Sequence, residues 1–149
     1  MAGSIAVAAL NLVSGLAGLL ALWLGDTNGI AARVFWPLLR VGQGAALALV
    51  IAVGSLAATG NYSTDNLFYL YSLLPLAIAF LAEQLRVASA QTVLDQRGLD
   101  GSAAVAGLGE SEQHELVGAI MRRETGVMAA SALVVVFLAL RAAGTAHGF

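Results

Sequence analysis

The 149-residue chain contains no cysteine, and all seven of its basic residues are arginines. Without cysteine the chain cannot form a disulfide, present a thiolate nucleophile or bind a metal through sulfur. Only 11% of the residues are charged and the formal net charge is -2, so the composition gives no support for nucleic-acid binding. These absences exclude several common kinds of functional site.

Histidine is also scarce, because the chain has only His114 and His147. Four-helix membrane proteins often hold haem between paired histidines on facing helices. We expect His114 and His147 at opposite ends of the molecule, where they cannot ligate one haem. A zinc site with several histidines is disfavoured for the same reason. We therefore predict no cofactor and no metal, although a bound lipid remains possible.

What the chain has in abundance is apolar sequence, since 59% of its residues are hydrophobic. The apolar residues form four stretches, at about 5–24, 34–58, 67–85 and 122–140. Each stretch is long enough for a helix to cross about 30 Å of hydrocarbon at about 1.5 Å per residue. We predict one all-α domain over residues 1–149, an integral membrane bundle of four helices.

The third helix should be the least regular of the four. Pro75 predicts a kink in it. Its apolar part ends near Ala82, but the helical pattern continues to about Arg97, with Gly98 as a plausible end signal. We expect this helix to extend past the cytoplasmic interface and to be followed by a glycine-rich cytoplasmic loop at about 98–111. Predicted N-caps are Ser63 or Thr64 for this helix and Ser111 for the last one.

The arginines indicate how the bundle is oriented. Six of them flank the first and third connections: Arg33, Arg40, Arg86, Arg97, Arg122 and Arg123. By the positive-inside rule, these connections are cytoplasmic and both termini lie outside. The absence of lysine, with abundant alanine, glycine, leucine, valine and arginine, suggests GC-rich coding. We therefore expect a multi-pass protein of a bacterial cytoplasmic membrane.

Polar residues near the arginine-rich end are the first candidate site: Arg40, Gln43, Glu83, Arg86, Arg122 and Glu124. A charge that faces lipid costs several kcal/mol, so these side chains should pair or face the bundle. We expect Glu83 to pair with Arg40 or Arg122, and Arg86 to pair with Glu124 or Asp95. One interpretation is a structural ion-pair network. The other is a polar pocket or proton site that binds an anionic head group.

Small residues at helical spacing are the second candidate feature: Gly15, Gly18, Gly44, Ala48, Ala52, Gly126 and Ala130. Such positions let helix backbones approach closely within a membrane. The simpler interpretation is packing inside the four-helix bundle. The alternative is an interface with another copy or another subunit. Asn11, which is polar in the middle of the first stretch, also indicates a helix contact there.

Three segments carry a resemblance to a known group: 33–40 (RVFWPLLR), 81–95 (LAEQLRVASAQTVLD) and 121–124 (MRRE). In these segments the chain resembles uncharacterised small four-helix membrane proteins of actinobacteria. The resemblance implies a topology and a lineage but no activity. Small multidrug transporters also have four spans, but they carry a glutamate in the first span, and this chain has none there.

The sequence leaves three hypotheses for function. The first is a non-enzymatic accessory or scaffold component of a membrane complex, or a homo-oligomer, surrounded by membrane lipids. The second is a protein that binds a lipid or small molecule, or a homodimeric transporter, through Arg40, Gln43, Glu83 and Arg86. The third is an intramembrane enzyme that uses Glu83, Glu124 or His114 as acid or base. Mutually saturated side chains would favour the first hypothesis, and a cavity lined by them would favour the second.

Overall fold

A computed structural model describes residues 1–25, 29–61, 63–99 and 101–146. These residues form five helices: α1 (Ala2–Leu24), α2 (Ile30–Ala58), α3 (Asn66–Gln96), α4 (Gly101–Ala106) and α5 (Glu110–Gly144). The four long helices are each long and apolar enough to cross a membrane. The predicted all-α membrane bundle is confirmed, and the chain is a multi-pass membrane protein.

The four long helices form a closed ring in the order α1, α2, α3, α5. Helix α5 packs extensively against both α1 and α3, and α1 also packs extensively against α2. The contact between α2 and α3 is the least extensive of the four. Because each long helix crosses the bundle once, α1 and α3 run in one direction and α2 and α5 in the other. Three residues of the predicted polar cluster, Arg40, Gln43 and Glu83, meet at the sparse contact between α2 and α3.

Two glycines of α1 allow close contact with α5. A Cβ atom added to Gly18 would lie 2.8 Å from both Ala129 Cβ and Phe35 Cε2. A Cβ atom added to Gly15 would lie 2.9 Å from Leu133 Cδ2. A side chain at Gly18 would meet the fixed Ala129 Cβ and force the helices apart, whereas one at Gly15 would require the end of the Leu133 side chain to move. This is the small-residue packing expected where lipid removes the hydrophobic driving force between helices.

The small residues of α2 behave differently. Gly44, Ala48 and Ala52 are exposed on the outer surface of the bundle, and a Cβ atom at Gly44 would meet nothing within 4 Å. Their interpretation as packing inside the bundle is therefore wrong. The buried face of α2 contains Ala32, Phe35, Leu39, Gly42, Ala46 and Val53. Gly44 follows Gly42 by two residues, which is about 200° around a helix of 3.6 residues per turn.

The two remaining candidate packing residues lie on α5. Ala130 is exposed, so its assignment to contacts inside the bundle is also wrong. It follows the buried Met128 by two residues and therefore points to the opposite side of the helix. Gly126 is partly buried, and a Cβ atom there would lie at an ordinary 3.9 Å from Leu22 Cδ1. Gly126 therefore faces α1, but the two helices are far enough apart there to accommodate a Cβ atom.

Helices α3 and α5 extend beyond the other two at what we call the arginine-rich end, where α1 ends and α2 begins. Leu22 of α1 lies opposite Gly126, so residues 110–124 of α5, about 22 Å of helix, continue past that level. A small apolar core holds these extensions together, with Val93, Leu99 and Leu116 buried in it. The segment predicted as a loop contains the short helix α4. Ala104 and Val105 of this helix pack on the small core.

The ends of α3 are defined by local hydrogen bonds. At its start, Asp65 Oδ1 accepts from the Leu67 N–H at 2.8 Å, so Asp65 is the N-cap and the prediction of Ser63 or Thr64 is wrong. At its end, Gly98 has φ 64°, and the Leu99 N–H donates to Leu94 O at 3.0 Å. Glycine occupies this left-handed position without steric cost. The helix is continuous through Pro75, and the kink there stays a prediction.

Candidate functional site

The candidate site is a chain of polar side chains that crosses from α2 to α3. Arg40 Nη1 donates to Gln43 Oε1 at 2.8 Å and forms an ion pair with Glu83 Oε1. Gln43 Nε2 donates to the same Glu83 oxygen at 3.2 Å. Arg40 and Gln43 are three residues apart and share one face of α2, so both reach the single carboxylate on α3.

The second half of the chain runs from α3 to α5. Glu83 Oε2 lies 3.2 Å from Arg86 Nε, within ion-pair distance but not aligned as a hydrogen bond. Arg86 Nη1 lies 3.8 Å from Glu124 Oε2. The Arg86 guanidinium also lies 5.8 Å from the centre of the Trp36 ring, close enough for a cation–π contact. Arg86 is therefore held by two carboxylates and one aromatic ring.

We call Arg40, Gln43, Glu83, Arg86 and Glu124 the closed network. Its charges alternate in sign and sum to zero, and both oxygens of Glu83 have a cationic neighbour. The side chains are only partly screened from their surroundings, since 49% of Arg40 and 29% of Glu83 are exposed. Such a network connects three helices and leaves no ionised group among its members without an opposite charge.

Arg122 does not join the closed network, so its predicted place in the polar cluster is wrong. It is exposed and lines a different cleft, with Arg97 and Arg123. The reason is its position on α5: Arg122 precedes Glu124 by two residues, which is about 200° around the helix. Asp95, the alternative partner expected for Arg86, instead accepts a hydrogen bond from Gln91 Nε2 at 2.9 Å.

An apolar groove lies beside the closed network on the outer surface, between α2 and α3. Its volume is about 310 Å³. The lining residues are Gln43, Gly44, Leu47, Leu76, Ala79, Phe80 and Glu83. Gln43 and Glu83 form its polar end and the other five residues are apolar. The groove exists because α2 and α3 make the least extensive helix contact in the ring.

The part of the chain that the structure describes contains no cluster of potential metal ligands. His114 is exposed at the start of α5, with Nδ1 3.2 Å from Glu110 O. Residues 1–25, 29–61, 63–99 and 101–146 contain no group of three or more histidine, aspartate or glutamate side chains that could hold a metal ion. His147 lies outside the described residues.

Trp36 of α2 also belongs to the site. Its ring contacts the Arg86 guanidinium and packs edge-on against Phe35 with ring centroids 5.1 Å apart. A signal was present in the spacing, since Trp36, Arg40 and Gln43 recur at intervals of four and three residues on α2. That spacing places Trp36 on the network face.

Comparisons with protein-family models, with curated proteins and with solved structures found no match for this chain. The fold and the site define a class by themselves: a multi-pass helical membrane protein in which a neutral ion-pair network connects three helices. This class does not define a function, because a fold of this kind supports many unrelated functions.

Proposed function

We propose that the chain is a non-enzymatic integral membrane protein that serves as an accessory or scaffold component of a membrane complex. The observation that carries the proposal is the closed network. Catalysis or proton transfer needs an acid or base that can reach substrate or water. Both oxygens of Glu83 have an arginine neighbour, and Glu124 lies beside Arg86, so neither carboxylate is an unpaired acid or base, which favours a structural role.

The outer face of α2 supports the proposal of a partner. Gly44, Ala48 and Ala52 recur every four residues and are exposed, with open space around Gly44. A stripe of small residues lets the backbone of a second helix approach closely, which is how helices associate in lipid. The expected partner is a transmembrane helix, either from another subunit or from a second copy of this chain.

We place the protein in a bacterial cytoplasmic membrane, as the actinobacterial resemblance and the arginine-rich end suggest, with both termini outside. The test uses single cysteines, which the cysteine-free chain accepts without background. In intact cells, Asn61→Cys should react with a membrane-impermeant maleimide, and Ser111→Cys should react only after the cells are lysed. The reverse pattern would invert the orientation.

A second candidate function is lipid or small-molecule binding, including transport by a homodimer. The groove between α2 and α3 favours it, because an acyl chain or apolar ligand could lie along Leu47, Leu76 and Phe80 with its polar end at Gln43 and Glu83. A volume of about 310 Å³ is at the lower end of ligand-sized cavities. This candidate requires a ligand that leaves the closed network intact.

Native mass spectrometry of the protein extracted gently from its own membrane tests both functions. A scaffold component should carry a protein partner, or a second copy, at constant stoichiometry. Ala48→Leu should reduce that association because it fills the small-residue stripe, whereas Ala9→Leu, an exposed alanine of α1, should not. A lone chain that carries a defined lipid or small molecule would instead favour the second candidate.

A further inference from the structure

The arginine-rich end contains a cleft between α3 and α5 that the closed network does not use. Its volume is about 590 Å³. It is lined by Val93, Gln96, Arg97, Glu115, Gly118, Ala119, Arg122 and Arg123. We call it the basic cleft, because three guanidinium groups and a single carboxylate line it.

The basic cleft continues the face of α5 that α1 covers inside the membrane. That face follows one line of residues at spacings of three and four: Glu115, Gly118, Arg122, Gly126, Ala129 and Leu133. Helix α1 covers the last three, through Leu22, Gly18 and Gly15. It ends at Leu24, so the preceding turns of α5 are left open, and a Cβ atom at Gly118 would meet nothing within 4 Å.

The charges in the basic cleft are unbalanced. Arg97, Arg122 and Arg123 are exposed, and none of them forms an ion pair with another residue in the described parts of the chain. Arg40 and Arg86 of the closed network, in contrast, are both paired with carboxylates. Like charges that line one cleft repel each other, and an anion bound between them would relieve that repulsion.

The position of the cleft relative to the membrane indicates which anion it meets. Arg122 and Arg123 directly precede the apolar part of α5, and the open turns begin where α1 ends beside Trp23, which is 82% exposed. Exposed tryptophan at the end of a span is typical of the membrane–water interface. From these positions we expect the cleft at the level of the phosphate groups of the adjoining lipid leaflet.

We propose that the basic cleft binds a phosphate-bearing anion through Arg97, Arg122 and Arg123. Guanidinium groups are suited to this ligand because their planar N–H donors match the geometry of phosphate oxygens in paired hydrogen bonds. The phosphate belongs either to an anionic lipid head group or to a soluble phosphorylated compound that approaches from the water side. This proposal is independent of the scaffold function, since it uses no residue of the closed network.

Two probes distinguish the sources. The purified full chain in phosphatidylcholine nanodiscs is titrated with pyrophosphate by calorimetry, and the chain in neutral detergent is titrated with phosphatidylglycerol against phosphatidylcholine by native mass spectrometry. Preferential retention of phosphatidylglycerol without pyrophosphate binding assigns the site to a lipid head group. Binding of pyrophosphate in the phosphatidylcholine nanodiscs assigns it to a soluble phosphate compound. Binding of neither probe overturns the proposal.

Matched variants test whether the binding is in the cleft. Arg122→Gln should weaken binding of the anionic probe about tenfold, the loss of one charge-assisted contact. Arg33→Gln removes another exposed arginine of the same end outside the cleft, and should change binding less than about twofold. Glu115→Gln, which removes the one carboxylate of the cleft, should strengthen binding. Equal weakening by Arg122→Gln and Arg33→Gln would mean general charge attraction and would overturn the proposal.

Discussion

The arginines at one end of this bundle fall into two groups with the same chemistry and different surroundings. In the closed network, Arg40 and Arg86 each contact a carboxylate of another helix. In the basic cleft, Arg97, Arg122 and Arg123 line one cavity without an ion pair among the described residues. The first group links α2, α3 and α5 through Glu83 and Glu124, and the second lines the open cleft between α3 and α5.

The difference follows from the neighbours that each group meets, since Arg122 and Glu124 are only two residues apart on α5 but point to opposite sides of the helix. A charge in or near hydrocarbon is costly unless a neighbour compensates it, and Arg40 and Arg86 each have a carboxylate partner on another helix. A charge in the interfacial region can remain unpaired because water and head groups solvate it. We therefore expect the paired arginines to contribute to stability and the unpaired ones to be accessible to a ligand.

Gly18→Ala should have the largest effect on stability, because it disrupts the close-packed membrane part directly. The added Cβ would lie 2.8 Å from Ala129 Cβ and Phe35 Cε2, and such overpacking typically costs about 1–3 kcal/mol. Gly44→Ala is the matched control, since it has the same change in helix propensity and open space around it. Thermal unfolding in detergent should show a lower midpoint for Gly18→Ala alone. Equal midpoints would contradict the packing of α1 on α5.

Glu83→Gln should lower the unfolding free energy by about 1–2 kcal/mol. It leaves Arg40 without its carboxylate partner and removes one of the two near Arg86, and the partial exposure of these groups limits the cost. Glu110→Gln, in the exposed first turn of α5, is the control. Thermal unfolding and folded yield compare the two variants. If they unfold alike, the closed network contributes nothing to stability.

Gly98→Ala should lower the unfolding free energy by about 1 kcal/mol, because alanine is strained at a φ of 64°. The change loosens the turn between α3 and α4, and it should leave the closed network intact. Gly107→Ala is a suitable control, because that glycine has no positive φ. Hydrogen exchange should rise at Leu99 and Leu116, which share the small apolar core. Unchanged exchange would mean that this turn does not hold the extension.

Arg122→Gln should have the smallest effect on stability, within about 0.5 kcal/mol, as for other exposed surface positions. Arg86→Gln is the informative comparison, since it removes the contacts with Glu83, Glu124 and the Trp36 ring and should be more destabilising. Chemical unfolding in mixed micelles measures both variants. A loss for Arg122→Gln as large as that for Arg86→Gln would remove the distinction between the two groups of arginines.

Part of the site was predictable from residue type and spacing. The pairing of Glu83 with Arg40 and of Arg86 with Glu124 was among the expected alternatives, because charges close to hydrocarbon must find partners. Asn11 was expected at a helix contact, and it is buried with its side chain against the backbone of Gly42. A Cβ atom at Gly42 would lie 3.0 Å from Asn11 Nδ2. The sequence did not indicate that Gly42 is the residue that accommodates this side chain.

Other features could not be predicted because alternative choices look alike in a sequence. Asp65, Ser63 and Thr64 can all cap a helix, and only the position of the first turn selects Asp65. Gly44 with Ala48 and Gly42 with Ala46 are equally small pairs on α2. Their different burial depends on which face of α2 turns toward α1, and helical spacing is the same for both.

The membrane location and the all-α class follow from residue order, because long apolar stretches can satisfy their backbone groups in lipid only as helices or closed barrels, and the stretches lack strand-like alternation. The concentration of arginines at one end also follows from residue order. The tertiary structure alone decided which arginines are paired and which line an open cleft. That outcome depends on the rotation of each helix about its axis and on where α1 ends, since a shift of two residues on α5 moves a side chain from the network to the opposite side.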